Sequence, residues 1–237
     1  MPHIVASYDA ELQKLNALVV EMGAAVGRQV GDASEGFRAR DPALAKTVIA
    51  ADKSVDTLQI RIEERVIAII AKRQPLAIDL RETIATLKIA TDLERIGDLA
   101  KNNAKRVIAM NEQVRPVSAG VNIGTLSKHA QEQLSRVMQA YAHRDKELAR
   151  RVWEGDGEID TLHTALFRDL LTYMVEDPRS IGHCTHLLFC AKNLERIGDH
   201  ATNIAENIHY IATGDFLSGD RPKGQNPSSI ALSAPEA

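Results

Sequence analysis

The chain has 237 residues, of which 26% are charged and 44% hydrophobic, a composition typical of soluble globular proteins. Its formal net charge of −3 gives no electrostatic reason to expect nucleic acid as a partner. No apolar run in the sequence is long enough to predict a segment that spans a bilayer.

The sequence offers two signals about cellular location. It begins without a basic region followed by an apolar stretch, so no signal peptide is expected. Cys184 and Cys190 lie on one predicted helix, about 9 Å apart along its axis, and are too far apart to bridge each other. Unpaired cysteines suit a reducing compartment, so a cytoplasmic location is predicted.

Three helices are predicted in the first half of the chain. Apolar residues recur every three or four positions over 12–30, every seven positions over 48–69, and again at helical spacing over 84–108. Asp41-Pro42 is typical of a helix N-cap followed by a first-turn proline. Gln74-Pro75 ends the second helix and begins the third. No alternating apolar run favours a strand.

The second half of the chain repeats the first. Residues 93–98 read Leu-Glu-Arg-Ile-Gly-Asp, and residues 194–199 repeat those six letters. Upstream, the pattern Asp-x-x-x-Asp-Thr-Leu that begins at Asp52 recurs from Asp156. An internal repeat fixes the architecture before individual elements are assigned. It predicts an all-α fold of two tandem, sequence-related three-helix bundles with six long antiparallel helices.

The repeat also sets the predicted domain boundaries. The first bundle is expected at 1–113 and the second at 114–213, joined by a linker near 111–120 that contains proline and glycine. From Thr213 onward the chain is rich in Gly, Pro, Ser and Asn and has no apolar periodicity. Residues 214–237 are therefore predicted to form a disordered tail.

Each repeat carries two acidic pairs at spacing i, i+4, one on its middle helix and one on its third. That spacing places two carboxylates about 40° apart on one helix face. If the two helices pack antiparallel, four carboxylates converge, and each raises the cost of ionising its neighbour. Oxygen ligands of this kind suit Mg²⁺, Mn²⁺, Ca²⁺ or iron, so a multivalent cation is expected in each repeat. The pairs are Asp52 with Asp56, Glu94 with Asp98, Asp156 with Asp160, and Glu195 with Asp199.

Further candidate ligands extend these faces. Asn102 and Asn203 lie one turn beyond the acidic pairs and can add amide oxygens. The second repeat offers three residues that the first lacks, because the first has Gln59, Leu99 and Lys105 at the matching positions. The sequence therefore predicts that the two sites need not hold the same metal or the same number of ions. The three additional candidates are His163, His200 and Glu206.

Several glycines lie next to or between the acidic residues of these helices. Gly97 and Gly198 lie between the acidic residues of the third helices, where glycine costs about 1 kcal/mol relative to alanine. A close approach by a neighbouring helix is the favoured explanation, and a group bound against the backbone is the alternative. Gly155 and Gly157 flank Asp156 and weaken the start of its helix, which makes Asp156 the weakest of the candidate ligands.

These motifs resemble the PhoU family of phosphate-specific transport system accessory proteins, over residues 7–211. The resemblance implies a cytoplasmic negative regulator of the phosphate-starvation response that also restrains phosphate uptake. Its implied partners are a phosphate ABC transporter at the inner membrane, a sensor histidine kinase and a second copy of the chain. It further implies iron, zinc, manganese or magnesium at the acidic pairs, in mononuclear or multinuclear sites.

Two other functions stay open at the level of sequence. One is an enzyme that uses a multinuclear metal–carboxylate site, although the chain has no Gly-rich phosphate loop, no His-Glu-x-x-His and no nucleophile elbow. The other is a metal-free helical scaffold whose acidic residues are only solvated.

Overall fold

The computed structural model describes residues 6–111 and 120–217, and its regular structure in those ranges is entirely helical. A single 3-10 turn, Pro178–Ser180, precedes the last helix. None of the described helices combines the length and apolar character needed to cross a membrane. The predicted linker and the predicted tail lie largely outside the described residues. The helices are α1 (Ala6–Ala39), α2 (Pro42–Arg73), α3 (Ala77–Asn111), α4 (Gly120–His143), α5 (Lys146–Glu154), α6 (Asp156–Glu176) and α7 (Ile181–Thr213).

The tandem arrangement of three-helix bundles is confirmed. Helices α1, α2 and α3 form the first repeat, and α4 to α7 form the second, in which α5 and α6 together take the place of the middle helix. The interruption between α5 and α6 falls at Gly155, where the sequence predicted a weak helix start. Because the amide of Gly155 still donates to the carbonyl of Arg151 at 3.2 Å, the break is local and α6 continues in the same bundle.

The turn between the first and middle helices is built identically in both repeats. Asp41 accepts hydrogen bonds from the amides of Ala43 and Leu44 at 2.8 and 3.1 Å, as predicted for an N-cap. Asp145 caps α5 in the same way. The arginine before each cap has a positive φ, 51° at Arg40 and 53° at Arg144. The two arginines therefore leave their helices in the same direction.

The core runs through both repeats without a gap. Helices α3 and α7 pack against each other at the centre, with α1 and α2 covering α3 and with α4, α5 and α6 covering α7. Ile89 and Ile96 of α3 and Ile197 of α7 are fully buried there. Each such side chain contributes about 1.5–3 kcal/mol through its removal from water. The two bundles thus stabilise one another, and their acidic helices lie on the shared central layer.

Candidate functional site

The acidic pairs of the first repeat lie together between α2 and α3. Asp52 of α2 is buried, with 5% of its surface exposed. The ammonium of Lys101 contacts Asp52 Oδ2 and Asp98 Oδ1, each at 2.5 Å. The lysine thereby bridges the two helices and places a positive charge inside the group of carboxylates.

The electrostatics of this group show that its carboxylates repel one another. Burial, followed by the charge of Asp52, raises the pKa of Asp56. Burial and then the charge of Asp98 raise the pKa of Glu94. Burial lowers the pKa of Lys101, but its hydrogen bonds to Asp52 and Asp98 outweigh that effect and raise it overall. One ammonium therefore compensates four carboxylates only in part.

The corresponding group in the second repeat is built differently. Asp156, at the start of α6, is buried with 3% of its surface exposed. It accepts a hydrogen bond at 2.8 Å from the hydroxyl of Thr202, which takes the repeat position of Lys101. Lys192 contacts both oxygens of Glu195, at 2.7 and 2.6 Å, but from a position on the same helix. Where the first repeat has an ammonium between its helices, the second therefore has a neutral hydroxyl.

The remaining members of the second group are Asp160, Asp199 and His163. Asp160 lies one turn after Asp156 on α6, and Asp199 one turn after Glu195 on α7. His163 is buried, and burial followed by the charge of Lys192 lowers its pKa while Asp160 opposes the shift. The neutral imidazole, the form that coordinates metals, is thus favoured at the edge of this group.

Two buried glutamines lie beside these groups and were not recognised from the sequence. Gln29 of α1 and Gln133 of α4 occupy equivalent repeat positions, 104 residues apart. Both side-chain polar atoms of Gln29 are buried without a hydrogen-bond partner among the described residues. Gln133 donates to the hydroxyl of Thr202 at 3.1 Å, while its oxygen has no partner in that part of the chain. Each repeat therefore places an amide oxygen beside its carboxylates.

The glycines of the acidic helices are explained by close packing. A Cβ at Gly97 would lie 3.0 Å from Oε1 of Gln29. A Cβ at Gly198 would lie 2.8 Å from Cδ1 of Ile159 and 3.0 Å from Oε1 of Gln133. The favoured explanation from the sequence, close approach of a neighbouring helix, is confirmed at both positions.

Two of the other candidate residues, His200 and Glu206, have partners outside the acidic pairs. His200 places its Nδ1 2.9 Å from Oδ1 of Asp92, so it joins α7 to α3 of the other repeat. Glu206 accepts a hydrogen bond at 3.0 Å from the indole of Trp153. Asn102 is exposed to solvent, and Asn203 is half-buried. His200 and Glu206 thus have structural partners of their own.

The donor chemistry of both acidic groups suits a hard cation. Carboxylate and amide oxygens are the ligands that such cations prefer. Among the described residues, no three His, Cys, Asp or Glu side chains stand close enough together to hold a metal ion. In the first repeat a cation would compete with Lys101 for Asp52 and Asp98, and in the second it would compete with Lys192 for Glu195. The donor atoms of both repeats therefore fit a hard cation in their chemistry, and in each repeat a carboxylate would have to exchange a lysine for the cation.

Comparison with known proteins gives consistent results over most of the chain. The family model described as the PhoU domain matches twice, over residues 19–107 and 123–208. The "Phosphate-specific transport system accessory protein PhoU homolog" of Rhizobium meliloti is 49% identical over 96% of this chain and 96% of its own. The crystal structure of PhoU from Pseudomonas aeruginosa has a TM-score of 0.86 at 36% identity and covers 88% of this chain and 100% of its own. The phosphate transport system regulatory protein PhoU from Streptococcus pneumoniae has a TM-score of 0.81 at 26% identity and covers 89% and 99%.

Proposed function

Because the chain belongs to the PhoU family, whose model matches both of its repeats, we propose that it is a negative regulator of the phosphate-starvation response and of phosphate uptake. The observation that carries this proposal is the 49% identity, over 96% of both chains, to a phosphate-specific transport system accessory protein. Names of this kind describe accessory and regulatory proteins of phosphate transport, which speaks against the metal–carboxylate enzyme considered from the sequence.

In this role the protein is a cytoplasmic adaptor that reaches the inner membrane through its partners. These partners are the phosphate ABC transporter and a sensor histidine kinase. Helices of 32 to 35 residues, such as α2 and α3, offer long faces on which a partner helix can pack. Association with the transporter restrains import when phosphate is abundant, and association with the kinase keeps it from activating its response regulator.

The protein is also proposed to be a homodimer. Ile60 and Ile67 of α2 are 55% and 66% exposed and lie seven residues apart, on one face of the helix. Exposed apolar side chains arranged in this way are typical of a surface that is covered by another protein. Light scattering coupled to size exclusion should give the mass of a dimer for the natural chain and of a monomer for Ile60→Glu with Ile67→Glu. A monomeric natural chain would contradict the homodimer.

A hard cation, such as iron, manganese or magnesium, or else zinc, is proposed at the acidic groups. In the second repeat Asp156, Asp160, Glu195 and Asp199 would hold it, with Gln133 supplying an amide oxygen nearby. In the first repeat Asp52, Asp56, Glu94 and Asp98 would do so after Lys101 moves away. The bound cation supplies positive charge that links the middle helix of each repeat to the third.

Elemental analysis of the purified protein tests this metal proposal. Glu195→Gln with Asp199→Asn should lower the bound metal per chain by half or more, because it removes two of the four charges of the second group. Glu147→Gln with Glu154→Gln is the matched control, since both are exposed acids on α5. Equal metal content in the two double variants would instead support the metal-free scaffold.

Phosphate uptake and copurification test the regulatory role. Cells that lack the gene should take up radiolabelled phosphate faster in phosphate-rich medium than cells that carry it. The transporter and the kinase should copurify with the tagged protein from membranes of the same cells. Unchanged uptake together with no recovery of either partner would count against the adaptor.

A further inference from the structure

A cavity of about 630 Å³ lies at one end of the molecule, where α1 ends and α7 begins. Pockets that bind small molecules have volumes of about 300–1,000 Å³. Helices α1, α3, α4 and α7 all contribute to its wall, so it opens between the two repeats. Its apolar lining includes Val30, Val107, Met110, Leu187, Leu194 and Ile197.

The repeat explains why this end is open. Ser34 of α1 and Ser127 of α4 line the cavity, and their hydroxyl groups contact each other. The equivalent positions at the other end of the molecule are Met138 and Gly23. There Met138 packs over Gly23 so closely that a Cβ on Gly23 would lie 2.9 Å from the sulfur. A methionine thus fills the space that two serines leave open.

The same comparison shows that, among the described residues, Arg40 lacks the anionic partner that Arg144 has, because Glu35, the carboxylate that also lines the cavity, pairs with Arg38. At the filled end Arg144 contacts the carboxylate of Glu82 at 2.5 Å. The equivalent residues at the open end are Arg40 and His183, which both line the cavity. Arg40 leaves its helix with the same positive φ as Arg144 but faces an imidazole where Arg144 faces a carboxylate. No ion pair of Arg40 is found within the described residues.

The surroundings of His183 agree with a missing partner. Its Nδ1 is buried and has no hydrogen-bond partner in the described part of the chain. Burial, followed by the positive charge of Arg40, lowers the pKa of His183. A buried polar atom without a partner costs about 1–3 kcal/mol, which a ligand that bonds to it would recover.

We propose that this cavity binds a small amphipathic anion. Its carboxylate or phosphate group lies between Arg40 and His183, in the place that Glu82 takes at the other end of the molecule. Its aliphatic body lies along Val30, Leu187 and Ile197.

Calorimetric titration of the full chain in EDTA tests the proposal with four probes. Decanoate and decyl phosphate, below their micelle concentrations, carry both an anion and an apolar body. Acetate has the anion alone, and decanol has the body alone. At least one of the first two should bind about tenfold or more tightly than acetate and decanol, because a hydrogen bond to a charged group contributes about 1.5–3 kcal/mol. The stronger of the two identifies the headgroup.

Two variants copy features of the filled end. Ser34→Met fills the cavity and His183→Glu supplies the anion from within the chain, so each should weaken decanoate or decyl phosphate by about tenfold or more. Ser135→Met is the control, because Ser135 is exposed on α4. If Ser34→Met fails to fold, Arg40→Gln replaces it, and should weaken the anionic probes while leaving decanol unchanged.

Three results would overturn the proposal. The first is no binding of either decanoate or decyl phosphate. The second is equal affinity for decanol, because the anion would then have no role. The third is unchanged affinity of the anionic probes in His183→Glu together with Ser34→Met or, failing that, Arg40→Gln.

Discussion

Lys101 is the residue on which the two acidic groups differ most, and replacing it by threonine makes the first group like the second. In the natural chain its ammonium bridges Asp52 and Asp98 at 2.5 Å. In Lys101→Thr those two carboxylates lose their shared positive charge, while the four acids of the group remain.

The size of the effect follows from burial. Removing one partner of a fully buried ion pair costs about 3–5 kcal/mol. The side chains of Asp52, Lys101 and Asp98 are 8%, 22% and 46% exposed, so water still solvates Asp98 while buried Asp52 loses the ammonium that bridges it to Asp98. We therefore expect the free energy of unfolding to fall by about 2 kcal/mol, which lowers the melting temperature of a chain this size by about 4–8 °C.

The assay is thermal unfolding by calorimetry in excess EDTA, followed by the same scan in Mg²⁺ or Mn²⁺. Lys105→Thr is the control, because Lys105 is one turn further along the same helix and exposed. Metal should raise the melting temperature of Lys101→Thr more than that of the natural chain, since no ammonium competes with the cation. A melting temperature in EDTA equal to that of the natural chain would refute the assigned role of Lys101. So would equal stabilisation of both chains by metal.

Three further predictions concern packing, charge and pH. Gly198→Ala should lower stability by about 1–3 kcal/mol in urea unfolding, because its Cβ would overpack against Ile159 at 2.8 Å. Glu94→Gln should raise the melting temperature of the metal-free protein at pH 7.5. The raised pKa of Glu94 in the folded state means that its contribution to stability is lost as pH rises, and glutamine carries no charge. Burial lowers the pKa of His183 from its ordinary value of 6.5, so the unfolded chain takes up a proton that the folded chain does not, and stability falls as pH drops below that value. Replacement of His183 by glutamine should reduce the change in the urea unfolding midpoint between pH 7.5 and 5.5.

Matched control variants show whether each effect is specific to the substituted residue or a general consequence of substitution. Gly27→Ala should not destabilise, because nothing lies within 4 Å of its Cβ and alanine favours the helix. Glu64→Gln and His143→Gln replace exposed residues of the same types and should leave melting temperature and pH dependence unchanged. Equal behaviour of a variant and its control would contradict the packing, charge or protonation argument that the variant tests.

The sequence predicted the fold because the signals for it are local or repeated. The helical spacing and the Asp41 cap can be recognised from neighbouring residues alone. The duplicated acidic motif can be recognised by one comparison of the chain with itself. The same comparison exposes Gly155 as the point where the middle helix of the second repeat is weak, and the structure breaks there. Propensity and duplication together therefore sufficed for the architecture.

The acidic groups could be predicted only in part, because their partners come from distant positions. Lys101 follows Asp98 by three residues and could be read as an ordinary surface pair, but its contact with Asp52 depends on how α2 packs on α3. The contact between Asp92 and His200 spans 108 residues and joins the two repeats, so no local pattern indicates it. Gln29 and Gln133 are an exception, since aligning the repeats pairs them.

Regulation of the phosphate-starvation response is the central claim, and phosphatase-reporter output in abundant phosphate tests it most directly. The comparison is between the bacterium that carries this gene and the same strain without it. We predict high output in the deletion strain and repression once the natural gene is restored. Output that stays low in the deletion strain would contradict the proposed negative regulator.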